Sequence, residues 1–433
     1  MVRTALGVGV LVLAMLGVLA TCGGKKGQQS VREGSPVSRF AAPAGYDNGR
    51  GWDLSPVGDQ YTLAREAGVL AFLTPADDGR FTVHAAALDD GRARWTSPPF
   101  TPLTGDDSAP RLFTVTTGAR QFFVTWTYGT VQKGSSVNDT ERVVSLDVYE
   151  ALHGTRRHLD VPWPQAPDVT GSGPGILIGR GSADTAVVDP TDGSVTRTSA
   201  KELKYPGGCA DCRKQTEVRG LANKGLLVRG DHGFWLRGGW YSRGHAPKGT
   251  RAESGVPTSV TGDRVLAKWA RQPASKQWRE KSGGAAEPME TWAVHDAATG
   301  KVLATTDCRK PAIEPGQYPE LVTSPSGRYL VSGYVAFDLK THRGHCFDGG
   351  SGQPLTLVSV ADDGTAYAAT GVRDPDDALG GRGRPVQVSL ENAEATPLAP
   401  ATHVPFADIR GQGLFDYSDN KDVRHLVAYP VAG

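Results

Sequence analysis

A short phrase recurs along this chain of 433 residues. It has two apolar residues, an Asp, a turn closed by Gly, and then a second run of alternating side chains. Ala87-Leu88-Asp89-Asp90-Gly91-Arg92-Ala93-Arg94-Trp95, Val187-Val188-Asp189-Pro190-Thr191-Asp192-Gly193 and Val294-His295-Asp296-Ala297-Ala298-Thr299-Gly300 are its fullest copies. Ser145-Leu146-Asp147 with Gly154 and Ala336-Phe337-Asp338 with Gly344 are looser ones, and Val388-Ser389-Leu390-Glu391-Asn392 lacks the glycine. Alternation, an Asp/Thr/Gly turn and alternation again spell a β-hairpin.

A second signal precedes each hairpin: a glycine turn followed by a short apolar run. Gly68, Gly118, Gly175, Gly225, Gly262, Gly327, Gly364 and Gly413 mark these turns, 37 to 65 residues apart. About four strands returning at such a period are the blades of a β-propeller. One four-stranded sheet cannot bury both its faces, but sheets stacked around a ring bury every face. The 55 glycines and 29 prolines suit so many turns. The expected fold is therefore all-β, a propeller of eight blades, with seven as the alternative. The runs after the glycines should be inner or second strands, and the Asp hairpins the outer pairs. After Gly413 only His425-Leu426-Val427-Ala428-Tyr429 reads as a further strand. The last blade then lacks an outer strand, which Gly51-Trp52-Asp53-Leu54 is expected to supply.

The phrase Ala87-Leu88-Asp89…Gly91…Trp95, and next Asp296…Thr299-Gly300, resembles the blade repeat of quinoprotein-like (pyrroloquinoline-quinone-type) propellers. Ser324-Pro325-Ser326-Gly327-Arg328-Tyr329-Leu330 is more similar to the turn of WD-repeat propellers. As architecture the resemblance covers about residues 48 to 431. For the quinone-dependent branch it implies dehydrogenases, with the quinone held between a Trp and a vicinal Cys-Cys disulfide and a calcium held by carboxylates. No adjacent cysteine pair occurs here, so the resemblance points to the fold without that cofactor site.

The N-terminus has another character. Met1-Val2-Arg3 precedes an uncharged run from Thr4 to Thr21, an export signal. Leu19-Ala20-Thr21-Cys22 resembles a bacterial lipobox, with Cys22 the lipidated residue. A retained signal anchor and ordinary secretion are the alternatives, and Thr21 is not the usual residue before such a cysteine. Residues 23–47 are polar with scattered Gly, Ser and Pro, and read as a flexible tether. The division is then 1–22 signal, 23–47 linker and 48–433 propeller, placed on the extracytoplasmic face of the cell membrane.

Four further cysteines are even in number, which in an oxidising compartment favours two disulfides. Cys209-Ala-Asp-Cys212 closes a small loop, and Cys308 and Cys346 end consecutive copies of the hairpin phrase. A redox or metal role for Cys209 and Cys212 lacks the context it needs: no βαβ pattern flanks them, Arg213 stands where a haem motif has His, and no second close pair follows.

Charge narrows the partners. Lys plus Arg is 47 against 46 Asp plus Glu, which offers no basic field for nucleic acid. Nucleophile elbows, His-Glu-x-x-His spacing and P-loops are absent from the sequence. Asp374-Pro375-Asp376-Asp377 and Asp106-Asp107 are acidic loops without a calcium-loop frame. The best surface candidate is Phe234 to His245, which replaces the Asp-turn phrase in the fourth unit. Its binding residues would be Trp235, Arg237, Trp240, Tyr241, Arg243 and His245, since aromatics and Arg dominate binding hot spots. The competing reading packs Trp235 and Trp240 between blades. The insertion around Trp278, with Arg271, Lys276, Arg279 and Lys281, is a second surface candidate. The expected role is a non-catalytic scaffold for a protein or cell-envelope component, with no cofactor and no metal. The alternative is a solute- or glycan-binding sensory propeller, with a secreted enzyme behind it.

Overall fold

The computed structural model describes residues 40–103, 109–133, 140–207, 215–272, 289–309, 318–349 and 353–433. Strands dominate them, and within each blade strands consecutive in sequence pair antiparallel. The chain is a β-propeller. Four-stranded units span 61–96, 111–162, 169–198 and 355–397, and a three-stranded unit spans 217–236. Residues 256–309 and 322–346 form an eight-stranded sheet. Its halves join through one parallel pair, Thr305 with Arg343. We count the halves separately and number the blades from residue 61, so that 407–430 is blade 8.

The apolar runs after the glycines are second strands in every blade. Period two explains why they are apolar throughout instead of alternating. Successive side chains leave a strand on opposite faces, and here both faces meet another blade. Ala71 packs with Phe123, Val124 with Ile176, and Leu177 with Val228. Leu227 packs with Val265, Leu266 with Leu330, and Val331 with Ala366. Tyr367 packs with Phe415, and Leu414 returns to Leu70. The cycle closes on itself. Each such fully buried side chain is worth about 1.5–3 kcal/mol relative to exposure.

Closure uses borrowed backbone, as the sequence leads one to expect. Trp52–Leu54 pairs antiparallel with Arg424–Pro430, Trp52 opposite Ala428 and Leu54 opposite Leu426. Asp53 points to the other face and accepts from the buried His425 Nδ1 at 2.9 Å. One boundary differs from expectation. The stretch expected to be tether as far as 47 belongs to the fold from Phe40 onward. The Phe40 ring lies 4.9–5.4 Å from those of His403, Phe415, Tyr417 and Tyr429. Tyr46 is buried and donates to Asp408 Oδ2 at 2.9 Å. Two aromatic side chains thus turn a polar-looking segment into a wedge in the groove between blades 7 and 8.

The recurrent phrase has a geometric meaning. In its turns Asp caps the backbone: Asp296 Oδ1 accepts from Thr299 N at 2.8 Å and from its hydroxyl at 2.7 Å, and Asp189 Oδ1 accepts from Thr191 N at 2.7 Å. The glycine then takes positive φ, 69° at Gly91, 69° at Gly154 and 74° at Gly300. At each of these three an indole from the preceding blade lies flat against the bare Cα. Trp52 Nε1 donates to Leu88 O, Trp95 Nε1 to Ala151 O and Trp240 Nε1 to Ala297 O, each at 2.9 Å. A Cβ on Gly300 would stand 2.5 Å from the Trp240 ring.

Gly300→Ala therefore meets two penalties. Positive φ alone costs about 1–2 kcal/mol, and the clash adds to it. Gly327→Ala isolates the first, because Gly327 has φ 71° and nothing within 4 Å of a new Cβ. Urea unfolding is expected to place Gly300→Ala at least about 1 kcal/mol below Gly327→Ala. Equal losses would mean that the indole yields freely.

Cys308 and Cys346 are bonded, their Cα atoms 5.6 Å apart, and so link the outer strands of blades 5 and 6. Cys22, Cys209, Cys212, Asp106, Asp107 and Trp278 lie outside the described residues.

Candidate functional site

The stretch 234–245 makes a hairpin of blade 4, as its Gly238-Gly239 turn suggests. Gly233–Leu236 is a strand, Gly238 takes φ 76°, and Trp235 bridges to Tyr241. The two indoles of the expected binding surface face inward. Trp235 is 2% exposed and packs with Tyr205 between blades 3 and 4. Trp240 is 8% exposed and is the docked indole of blades 4 and 5. Both are packing residues: Trp235 leaves the strand Gly233–Leu236 toward blade 3, and Trp240, just past the turn, docks on blade 5. Tyr241 donates to His232 O at 2.7 Å, and Arg237 reaches Thr198 and Glu202 in blade 3. Arg243 is exposed, and His245 is half-buried with its ring 5.4 Å from that of Trp240. The six residues do not converge on one cleft.

His295 stacks on Trp240 at 5.6 Å and is fully buried. Its Nδ1 donates to Gly300 O at 3.0 Å. Burial lowers its pKa to about 4, and the nearby His245 acts in the same direction. The folded state thus resists a proton that the unfolded chain accepts near 6.5. Stability from this group is fully present above pH 6.5 and is lost as pH falls toward 4, by up to about 3 kcal/mol. Denaturation of wild type and His295→Gln at pH 7 and pH 4.5 is expected to show the smaller acid loss in the variant. Parallel losses would remove His295 from the account.

The central channel is crossed rather than open. Arg65 leaves the inner strand of blade 1, and its Nη1 donates to Thr323 O of blade 6 at 2.8 Å. Arg180 of blade 3 reaches Glu320, before blade 6, at 2.6 Å while also binding Asp168 at 2.6 Å. Blades 1 and 3 do not neighbour blade 6, so both contacts span the ring. Burial lowers the Arg65 pKa against the pull of Asp408 and Asp362. For Arg180 burial acts the same way, but Glu320 and Asp168 outweigh it and raise the pKa. Glu320 also accepts from Ser259 Oγ at 3.0 Å. These arms reach across the axis of the ring.

The acidic loop 374–377 is used as a helix cap. Asp374 accepts from Asp376 N at 3.0 Å at the start of the single helical turn Pro375–Leu379, and Asp377 pairs with Arg382.

Blade 2 carries the most chemically varied cleft among the described residues. Its middle strands, Arg120–Gln132 and Thr140–Glu150, are far longer than its outer ones. On the face toward blade 1 the upper residues Phe123 and Tyr149 are core. Below them the same face becomes polar, where blade 1 no longer covers it. Register places Thr125, Asp147 and His158 in one cross-strand row, and Thr127, Ser145 and Asp160 in the next. The 97–103 segment lips over this grid with Phe100 and Leu103, enclosing about 230 Å³. Arg156 binds both Asp147 oxygens at 2.9 Å, and His158 Nδ1 donates to Asp147 at 2.8 Å. His158 Nε2 faces Asp160 Oδ1 at 3.5 Å. An Asp–His pair is thus present, but the imidazole's second nitrogen faces a carboxylate instead of a nucleophile, so the arrangement is not a hydrolytic triad.

Sequence reasoning passed over this cleft, the channel arginines and the wedge at Phe40. The cleft had a signal: polar residues at the periodic positions Thr125/Thr127, Ser145/Asp147 and His158/Asp160 of otherwise apolar strands. The arginines had none, since both sit in loops.

No protein-family model matches the chain, and no curated protein matches it. Solved structures do. BamB from Moraxella catarrhalis aligns over 92% of this chain and 100% of its own, at 12% identity and a TM-score of 0.32. The β-propeller domain of the Trilobed protease from Pyrococcus furiosus aligns over 87% and 95%, at 9% identity and 0.38. The WD40 domain of SCAP from fission yeast aligns over 93% and 96%, at 9% identity and 0.32. These are distant likenesses, and the reading below rests on the chain's own geometry.

Proposed function

We propose that this chain is a lipid-tethered, extracytoplasmic β-propeller of the quinoprotein-like kind, with eight blades, acting as a non-catalytic scaffold for a protein or envelope component. The observation that carries the reading is the crossed channel. Arg65 and Arg180 reach across the axis to blade 6 and its approach, which favours the rims and outer edges for recognition. The docked indoles support the quinoprotein-like assignment, because the phrase that carries the resemblance makes those contacts. The lipobox-like Leu19-Ala20-Thr21-Cys22 supports the tether.

Cell fractionation tests the tether. Cys22→Ala is expected to release the body from membranes, and retention of unprocessed protein would identify a signal anchor instead. Photo-crosslinkers on the exposed rim residues Leu152, His153 and Val195 test the scaffold role in intact cells. Discrete crosslinked species from rim positions, and none from a probe at the half-buried Thr62, are expected. An absence of crosslinks at every rim position would remove the scaffold reading.

A further inference from the structure

We propose that the cleft between blades 1 and 2 binds a neutral sugar unit, a site separate from the rim and independent of the scaffold reading. The chemistry is settled by elimination on the residues present. A metal ion needs convergent free ligands, and Asp147 is already saturated by Arg156 and His158. An anion would meet the Asp160 carboxylate, and the Arg156 guanidinium of the cleft is already engaged by both Asp147 oxygens. An apolar ligand would cover the polar lining of Thr125, Ser145 and Asp160 without offering it a hydrogen bond.

What remains is a small molecule with many hydroxyls and one apolar face. Thr127 and Ser145 lie opposite each other in register, and Ser145 lies opposite Asp160. These three offer two hydroxyls and a carboxylate in one row, with strands about 4.8 Å apart. Hydroxyl groups both donate and accept, so such a row serves a vicinal diol. Phe100 supplies the apolar wall across the cleft. About 230 Å³ is below the roughly 300–1,000 Å³ of drug-sized pockets, which limits the occupant to about one ring.

The strand periodicity gives the same answer independently. Phe123 and Tyr149 show that this face has a neighbouring blade to pack against. A chain selected only for packing would keep the face apolar, or leave its polar groups fully in water. Here Thr125 and Asp147 are buried at the floor while His158 and Asp160 stand at the mouth. This is a polar recess with depth.

Saturation-transfer NMR and calorimetry on the folded chain are the test, with glucose, galactose, mannose and N-acetylglucosamine as probes and phosphate and citrate as anionic controls. At least one sugar is expected to saturate. Asp160→Asn and Ser145→Ala, whose fold is checked by circular dichroism, are each expected to weaken it about ten-fold, the loss of one charge-assisted or neutral hydrogen bond. Comparing the free sugar with the same unit at the end of an oligosaccharide separates a soluble ligand from an envelope glycan. No transfer from any sugar, unchanged affinity in both variants, or binding of the anions alone would each overturn the proposal.

Discussion

Trp52→Ala is expected to cost about 3–5 kcal/mol, the range for truncating a large buried aromatic. The indole is 3% exposed, packs with Leu70, Leu88 and Ala428 from both sides of the seam, and donates to Leu88 O at 2.9 Å. Its loss removes the largest side chain of the cluster that joins the last blade to the first. It also empties the cradle at Gly91, whose bare Cα exists to admit the ring: a Cβ there would stand 2.9 Å from it. The second consequence is local. Strand Trp52–Leu54 has only three residues, so without the indole its side-chain anchoring on Arg424–Pro430 is reduced to Leu54 and Asp53, beside the short backbone ladder. Urea unfolding should report the energy, and limited proteolysis should find new cleavage near residues 48–60. Trp95→Ala is the comparison, since Trp95 makes the same bond to Ala151 at an internal seam. It should lose stability without exposing the N-terminal strand. If both variants were cut alike, closure by the borrowed strand would not be the weak point of the ring.

The architecture was legible because it is written as a period. Glycine turns precede runs that are apolar throughout, and Leu70/Ala71 or Val265/Leu266 show why: adjacent side chains serve different interfaces. Closure was legible from a missing outer strand and a spare one at Trp52. The site was less legible, because aromatic composition does not say which way a side chain points. Trp235 and Trp240 look like a binding surface in sequence, yet the fold sends one to blade 3 and the other to blade 5. Polar residues carried the better information. Asp147 sits in a loose copy of the turn phrase, but its partners Arg156 and His158 come from the next strand and not from the turn. Asp296 keeps the turn role through Thr299 alone. The same residue type in the same phrase therefore does two jobs, and only cross-strand register separates them.

Removing the Cys308–Cys346 bond by the paired change Cys308→Ala and Cys346→Ala is expected to cost about 4 kcal/mol. The bond closes a loop with a sequence separation of 38 residues, and the chain-entropy relation gives that magnitude. Blade 6 has short β-ladders at its edges. Its inner strand, Val322–Thr323, has two residues, and its outer strand meets blade 5 through the single pair Thr305–Arg343. Other polar fixings come from across the ring, Arg65 on Thr323 and Arg180 on Glu320, and from the neighbouring blades, with Ser259 on Leu321 N at 2.9 Å, His342 Nδ1 on Leu303 O at 2.7 Å and Ser326 N on Asp362 Oδ1 at 2.8 Å. Those are individual polar contacts worth about 1 kcal/mol apiece, so none of them alone replaces the cross-link. The cut chain should therefore show a lowered melting temperature and fast proteolysis within residues 305–346, while Trp52–Leu54 stays protected. Arg180→Ala in the background lacking this disulfide should add to the loss, because the arm then carries load that the disulfide bore before. A loss below about 1 kcal/mol would mean that the Leu266–Leu330 core alone seats blade 6, and that the cross-link adds nothing to the ring.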